Sequence, residues 1–299
     1  MWIHFGKGCK MEQSNEMWQQ LTLPFSHEMK NVLEQQHLAV QFTGLAGRHL
    51  IPEEKDKSNI NLQFLPLKKI FIGKELPQGL RIAFHPESHT LQIRKSELET
   101  IREISLEGKT FMNAFQQLTT ALGKLDVDVL NMTTEQPYAL PSDSLKEGKY
   151  FFKDETELIE ENIRYRKNAS LVLQKIVSEY DDTDLMRIWP HHFDTGTIIR
   201  IEKNRSGETI KSIGLGFAIP DKMMPEPYFY LSYWSESSNS SIEIPQNLPA
   251  GKWMMPEWDG AVLTISEITQ LKSSKEQFDL VKSYFEAGIK KSIAILKLD

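Results

Sequence analysis

The chain has 299 residues, 40% of them hydrophobic and 25% charged, and its formal net charge is −6. These values are typical of a globular protein with a sizeable core, and an acidic chain without a basic run lacks the electrostatic signature of nucleic-acid binding. The single cysteine, Cys9, excludes an internal disulfide and a cysteine-rich zinc site.

No stretch approaches the roughly 20 apolar residues of a membrane span, and the N-terminus has no apolar core of signal-peptide length. We therefore expect a soluble, cytoplasmic protein without a membrane partner. Residues 1–10 show no periodic pattern, so Met1 and Met11 are alternative natural starts.

The first half, residues 15–132, is predicted to mix helices and strands. A short helix at Ser26–Gln36 precedes four extended segments, which are Leu38–Leu45, Ile60–Ile72, Leu80–His85 and Thr90–Arg94. Apolar residues then recur at helical spacing over Lys109–Lys124, from Phe111 to Leu125. Alternation over Asp126–Leu130 predicts one further strand.

Residues 133–153 are predicted to form a linker or long loop, because Pro, Ser and Gly are frequent there. The second half, residues 154–299, is predicted to begin with a helix at Asp154–Tyr180 and to end with one at Ser274–Ile295. Asp154 with Glu157, and Ser274 with Gln277, have the spacing of capping boxes. Between these helices, strands are predicted at Ile199–Glu202, Thr209–Ala218, Tyr228–Trp234 and Ala261–Ile268, with a hairpin turn at 203–208.

The predicted fold is an α+β architecture in which long amphipathic helices cover one face of antiparallel sheet. Each half has a helix, about four strands and a helix, so a pseudo-repeat of two α-β4-α halves is one hypothesis. We expect the two halves to pack as one globular unit.

The most unusual segments of the chain are WPHHFD at 189–194, GLGF at 214–217 and EPYFY at 226–230. Their order, WPHHFD (W-x-x-x-F-D) followed by a glycine-containing strand and E-P-Y-x-Y, resembles the bacterial family called Domain of Unknown Function 5996. QFTG at 41–44 and ALG at 121–123 extend the resemblance over roughly residues 15–290. The resemblance implies no assigned activity, cofactor or partner.

A metal site is the first chemistry to weigh, since His191, His192 and Asp194 are all potential ligands. On a strand, His192 and Asp194 would share a face while His191 pointed away. A third ligand would have to come from His85, His89 or Glu226. The set is incomplete, so we predict no metal and no other cofactor, and His192 and Asp194 remain the candidates if one binds.

Acid–base catalysis is the second possibility, with His192, Asp194 and Glu226 as candidate catalytic residues. The sequence contains no GxSxG elbow and no phosphate-binding glycine loop. Gly214 and Gly216 lie within a strand pattern, which indicates close backbone packing or a bulge. The pattern therefore leaves an enzyme and a non-catalytic binding protein as open alternatives.

A small-molecule pocket is the third possibility. Tyr228, Tyr230 and Trp234 fall on one face of a predicted strand, and Trp189 and His191 belong to the other motif. Aromatic groups with polar tips are common in ligand pockets, although such strands also form ordinary cores. The best hypothesis is a small-molecule-binding protein or enzyme whose two motifs converge. The alternative is a non-catalytic domain that acts through protein association, with these motifs as folding elements.

Overall fold

The structure is a computed structural model that describes residues 17–95, 99–140, 148–153, 155–237 and 248–297. The helices are α1 (His27–Leu50), α2 (Phe111–Gly123), α3 (Thr156–Val177), α4 (Ile265–Thr269) and α5 (Ser274–Leu296). The strands are β1 (Gln63–Leu65), β2 (Ile70–Ile72), β3 (Leu80–His85), β4 (Thr90–Lys95), β5 (Glu99–Ser105), β6 (Arg187–Trp189), β7 (Asp194–Lys203), β8 (Thr209–Ala218), β9 (Tyr228–Ser235), β10 (Lys252–Trp253) and β11 (Gly260–Thr264).

The strands form two antiparallel sheets, which confirms the predicted α+β class. The first sheet has five strands in the order β1-β2-β3-β4-β5, and the second has six in the order β10-β11-β9-β8-β7-β6. Nearly every neighbour in space is also a neighbour in sequence, because short turns bring consecutive strands together.

The long helices bury their apolar stripes against the sheets and against one another. In the first half α1 packs on β3 and α2 packs on β5, while in the second half α3 packs on β7 and β8 and α5 packs on β9. Helix α3 also contacts α1 and α5. One buried cluster of apolar side chains runs from Trp18 to Leu296 and includes residues of both halves.

An isolated antiparallel bridge joins the edges of the two sheets. The backbone N–H of Leu62 donates to the carbonyl of Ile188 at 2.9 Å, and the N–H of Ile188 donates back to Leu62 at 2.8 Å. The bridge brings the segment before β1 beside β6, so the two sheets meet edge to edge along a seam.

The largest correction to the sequence prediction concerns α1. The segment Leu38–Leu45, predicted as a strand, is the middle of a helix that extends to Leu50. Residues 36–47 are buried on every side of this helix, so its sequence lacks the polar face that marks an amphipathic helix. Gly44 and Gly47 serve close packing there, since an added Cβ at Gly47 would overlap the backbone of Asn59.

Smaller corrections concern individual strands and caps. The predicted strand Asp126–Leu130 is wrong, because the segment that follows α2 is irregular and Asp126 lies at φ +59°. The polar edge strand β5 was missed, and the sheets have five and six strands instead of about four each. The segment Ala261–Ile268 divides into β11 and α4. Ser273, not Ser274, caps α5 and accepts a hydrogen bond from the N–H of Glu276.

Several predictions concern residues outside the described ranges. Met1, Cys9, Met11, Asp154 and part of the proposed linker are among them. The boundaries at 132 and 153 stay predictions. None of the helices in the described ranges combines the length and the apolarity needed to cross a bilayer.

Candidate functional site

The WPHHFD motif is the turn of a β-hairpin between β6, an edge strand of the second sheet, and its neighbour β7. Trp189 ends β6 and Asp194 begins β7, and the two residues are Cα partners in the ladder. Residues 190–193 form the connecting turn, in which the Phe193 N–H donates to the carbonyl of Trp189 at 2.7 Å and Phe193 itself has φ +52°. The strand alternation predicted for His191 and His192 is therefore wrong. Pro190, which has no N–H to donate to a ladder, lies in this turn.

The two sequence motifs meet at a hydrogen bond between Asp194 and Tyr230. The Tyr230 hydroxyl donates to Oδ2 of Asp194 at 2.6 Å, which is short for a neutral donor and typical of an ionised acceptor. Burial and the Asp194 carboxylate raise the pKa of Tyr230 well above its usual value. The phenol therefore keeps its proton and acts as a donor.

Two glycines make this contact possible. Tyr230 belongs to β9, and its ring reaches Asp194 on β7 by lying across β8. A Cβ built at Gly216 would overlap the Tyr230 ring, and one built at Gly196 would lie 2.8 Å from its hydroxyl. The close-packing interpretation of Gly216 is confirmed, since only a residue without a side chain leaves the phenol room.

The second carboxylate oxygen of Asp194 is buried but has no hydrogen-bond partner among the described residues. Trp189 lies directly opposite Asp194, and partners in an antiparallel ladder direct their side chains to the same face. Tyr228 and Trp258 extend the aromatic surface, with ring centroids each 6.3 Å from Tyr230. The site thus combines an aromatic surface with one unused anionic acceptor.

The histidines of the turn stand beside this acceptor. The rings of His191 and His192 are 4.5 Å apart, and His191 also lies 5.8 Å from Trp189 and 5.4 Å from Tyr138. Burial and the neighbouring His192 lower the pKa of His191, against the opposing effect of Asp194. His191 is therefore neutral at pH 7 and can donate or accept a hydrogen bond.

Residues from α1 hold the turn in place. The Nε2 atoms of His37 and Gln41 both donate to the carbonyl of Pro190, at 2.8 and 2.7 Å. The Gln41 Oε1 accepts from the Tyr138 hydroxyl at 2.9 Å. The Pro190 ring fits against Gly44, whose built Cβ would be 3.3 Å away. Because α1 belongs to the first half of the chain, both halves shape the turn.

A fully buried arginine supports the same hairpin from the helix side of the sheet. Arg166 of α3 donates to the Phe193 carbonyl at 2.6 Å and to Thr195 Oγ1 at 2.9 Å. Its guanidinium carbon lies 4.1 Å from the Phe193 ring centroid, a cation–π geometry. Burial lowers the pKa of Arg166 to about 9, while Asp194 opposes the shift, so the side chain stays charged at pH 7.

The other predicted site residues lie outside this cluster. The Glu226 carboxylate accepts a hydrogen bond from the Ser266 N–H in the first turn of α4, at 2.8 Å. The Tyr228 hydroxyl donates to Asp221 at 2.7 Å, although its ring stays near Tyr230. Trp234 is 51% exposed and stands four residues beyond Tyr230, about 13 Å along the strand. Of these residues, Tyr228 alone adjoins the cluster, through its ring beside Tyr230.

No three His, Cys, Asp or Glu side chains within the described ranges converge as a metal site. His192 is exposed in the turn, and Asp194 already accepts from Tyr230. His85 ends β3 in the first sheet, and the His89 ring packs against Phe84 and Phe151.

The sequence did not single out Arg166, His37 or Tyr138, and it indicated Gln41 only as part of the QFTG segment. Arg166 stands in a polar stretch with Arg164 and Lys167, and nothing in that stretch distinguishes a buried cation from a solvated one. The helix spacing offered one signal, because Arg166 lies three residues before Ala169 in the apolar stripe of α3.

Comparisons with protein-family models, curated proteins and solved structures found no match to this chain. The resemblance to Domain of Unknown Function 5996 is therefore a prediction that rests on the motifs alone.

Proposed function

We propose that the protein binds a small molecule at Asp194, on the face of the second sheet that the helices leave uncovered. The observation that carries the proposal is the Asp194 Oδ1 atom, which is buried without a hydrogen-bond partner among the described residues. An unpaired buried acceptor costs about 1–3 kcal/mol, and more when it is charged. A ligand that supplies a donor would recover that free energy on binding.

The chemistry of the site favours a particular ligand. The Asp194 carboxylate accepts, so the ligand presents an N–H or O–H group, and a cationic donor gains most. The rings of Trp189, Tyr230 and Trp258 offer apolar area for the rest of the molecule. His191, neutral at pH 7, is placed to exchange a proton with such a donor if the ligand is a substrate.

A fragment screen by ligand-observed NMR tests the proposal on the full chain, with primary amines, amidines and polyols as probes. Hits are expected on the wild type and not on Asp194→Asn, which keeps the shape of the side chain but loses the charge. Glu286 is exposed on α5, where it pairs with Lys282, and Glu286→Gln provides the matched loss of a surface carboxylate. If Asp194→Asn and Glu286→Gln retain the same hits, Asp194 is not the binding group.

A second candidate function is protein association through the same face of the sheet. Ile198 and Trp234 project from it and are 39% and 51% exposed. Sedimentation and cross-linking with Trp234→Ser separate this candidate from ligand binding. Association that depends on Trp234, together with no fragment hit dependent on Asp194, favours the non-catalytic domain.

A further inference from the structure

A cleft of about 160 Å³ lies at the seam between the two sheets. Its walls include Asn61 and Gln63 from the segment at β1, Lys74 after β2, Arg81 of β3 and Arg187 of β6. Arg187 and Trp189 are two residues apart on β6, so both side chains leave the same face of the strand. The cleft thus adjoins the Asp194 site but is built from different side chains.

The cleft gathers positive charge in a chain whose net charge is −6. Three of its wall residues are cationic: Lys74, Arg81 and Arg187. The two arginine side chains are only 22% and 21% exposed, so solvent screens their charges less than those of surface residues. Partly buried guanidinium groups present several donors in a fixed plane and suit carboxylate and phosphate oxygens.

The acidic partners of these arginines stand at the rim. Arg187 is 2.9 Å from Asp56, and Arg81 is 3.7 Å from Glu75, but these carboxylates are 57% and 60% exposed. Ion pairs with such exposed partners contribute little to stability, so an incoming anion displaces them at small cost.

Asn61 provides an independent observation that points to a ligand. The residue is 2% exposed, and neither its amide nitrogen nor its amide oxygen has a hydrogen-bond partner within the described ranges. Buried amides in folded proteins are almost always paired. An unpaired amide on the wall of a cationic cleft offers one more donor to an oxyanion.

We propose that this cleft binds the carboxylate or phosphate group of a small molecule. Arg81 and Arg187 would hold the oxyanion, Lys74 would supply long-range attraction, and the Asn61 amide would donate to one oxygen. The volume is below the 300–1,000 Å³ typical of pockets that enclose whole drug-sized ligands, so it fits a compact anion. This proposal is independent of ligand binding at Asp194.

Isothermal titration of the full chain with inorganic phosphate and with malonate tests the proposal, at ionic strength held constant with chloride. Saturable binding of at least one anion is expected, and the one that binds more tightly identifies the oxyanion class. Arg187→Gln, Arg81→Gln and Asn61→Leu are each expected to weaken that binding at least tenfold. Arg205→Gln, in the exposed 203–208 hairpin turn, is the matched loss of one positive charge and is expected to leave binding unchanged.

Asp56→Asn is a test in which anion affinity should rise instead of fall, and the substitution leaves every residue of the cleft wall in place. Because it frees the Arg187 guanidinium, anion affinity is expected to rise about threefold or more. No saturable binding of either anion, equal weakening by Arg205→Gln, or no gain in affinity with Asp56→Asn would each overturn the proposal. The Asp56→Asn result decides the matter even if Arg187→Gln or Asn61→Leu does not fold.

Discussion

The Tyr230 hydroxyl donates to the Asp194 carboxylate at 2.6 Å, and this bond joins two motifs that lie 36 residues apart in the sequence. The bond crosses a whole strand, because Gly196 and Gly216 leave the backbone bare beneath the phenol. A row of cross-strand partners connects Arg187, Gly196, Gly216 and Tyr230. The register of β6 to β9 therefore sets the position of both candidate ligand groups, the carboxylate and the arginine.

Tyr230→Phe is expected to lower the free energy of unfolding by about 1–3 kcal/mol, because it leaves both carboxylate oxygens of Asp194 without a hydrogen-bond donor among the described residues. Urea denaturation measures the change. Tyr150→Phe, at a residue that is 64% exposed, is the control and should change stability by less than about 0.5 kcal/mol. Combining Tyr230→Phe with Asp194→Asn should cost less than the sum of the two single changes. Additive losses would mean that the bond contributes nothing in solution.

Gly216→Ala is expected to destabilise the protein by about 1–3 kcal/mol, since the new methyl group overlaps the Tyr230 ring and forces it away from Asp194. Thermal unfolding and the near-ultraviolet circular dichroism of the tyrosines follow both effects. Gly214→Ala on the same strand is the comparison, because its Cβ would meet only the flexible Ser232 hydroxyl at 3.0 Å. Equal losses for the two variants would contradict the proposed role of Gly216.

The buried His37 should make the stability of the protein depend on pH. Burial lowers the pKa of His37 from 6.5 to about 4. The hydrogen bond to the Pro190 carbonyl partly opposes this shift, and the nearby Arg166, His191 and His192 add to it. Between pH 6.5 and pH 4 the unfolded chain binds this proton more readily than the folded protein does. The contribution of His37 to the free energy of unfolding is therefore fully present above about pH 6.5 and is lost as the pH falls to 4. The loss attributable to this residue is of order 3 kcal/mol.

His37→Gln keeps a side-chain donor and should flatten the part of the stability curve between pH 6.5 and 4. Chemical denaturation at half-unit pH steps provides the measurement, with substitution of the exposed His27 as the control. Burial also lowers the pKa of His89 to about 4. His89 therefore adds its own part to the slope of stability against pH, and His37→Gln should leave that part unchanged. An unchanged slope in His37→Gln would rule out a buried neutral His37.

Glu226→Ala tests whether the predicted catalytic carboxylate has a structural role. The side chain accepts from the Ser266 N–H at the start of α4, so its loss should cost about 1 kcal/mol, as for other helix caps. Fragment binding at Asp194 should be unaffected. If a folded Glu226→Ala variant no longer binds the fragments, Glu226 takes part in ligand binding.

Much of the fold could be predicted from the sequence because local patterns and tertiary packing agree there. The stripe from Phe111 to Leu122 forms α2, and the strands β3, β4, β8 and β9 lie where alternation and turn residues indicate them. The prediction failed at 38–45, where a helix buried all round has no polar face to reveal its period. It also failed at the WPHHFD turn, where Phe193 adopts a positive φ that no propensity for phenylalanine indicates.

By itself the sequence determined the class of the protein, the positions of most long elements and the two motifs that form the candidate site. Only the tertiary structure decided that Asp194 bonds to Tyr230, that Glu226 caps a helix, and that Arg166 and His37 support the turn. The reason is physical: periodicity records which face of an element is buried, whereas partners on distant strands depend on sheet register and on the space that Gly196 and Gly216 leave.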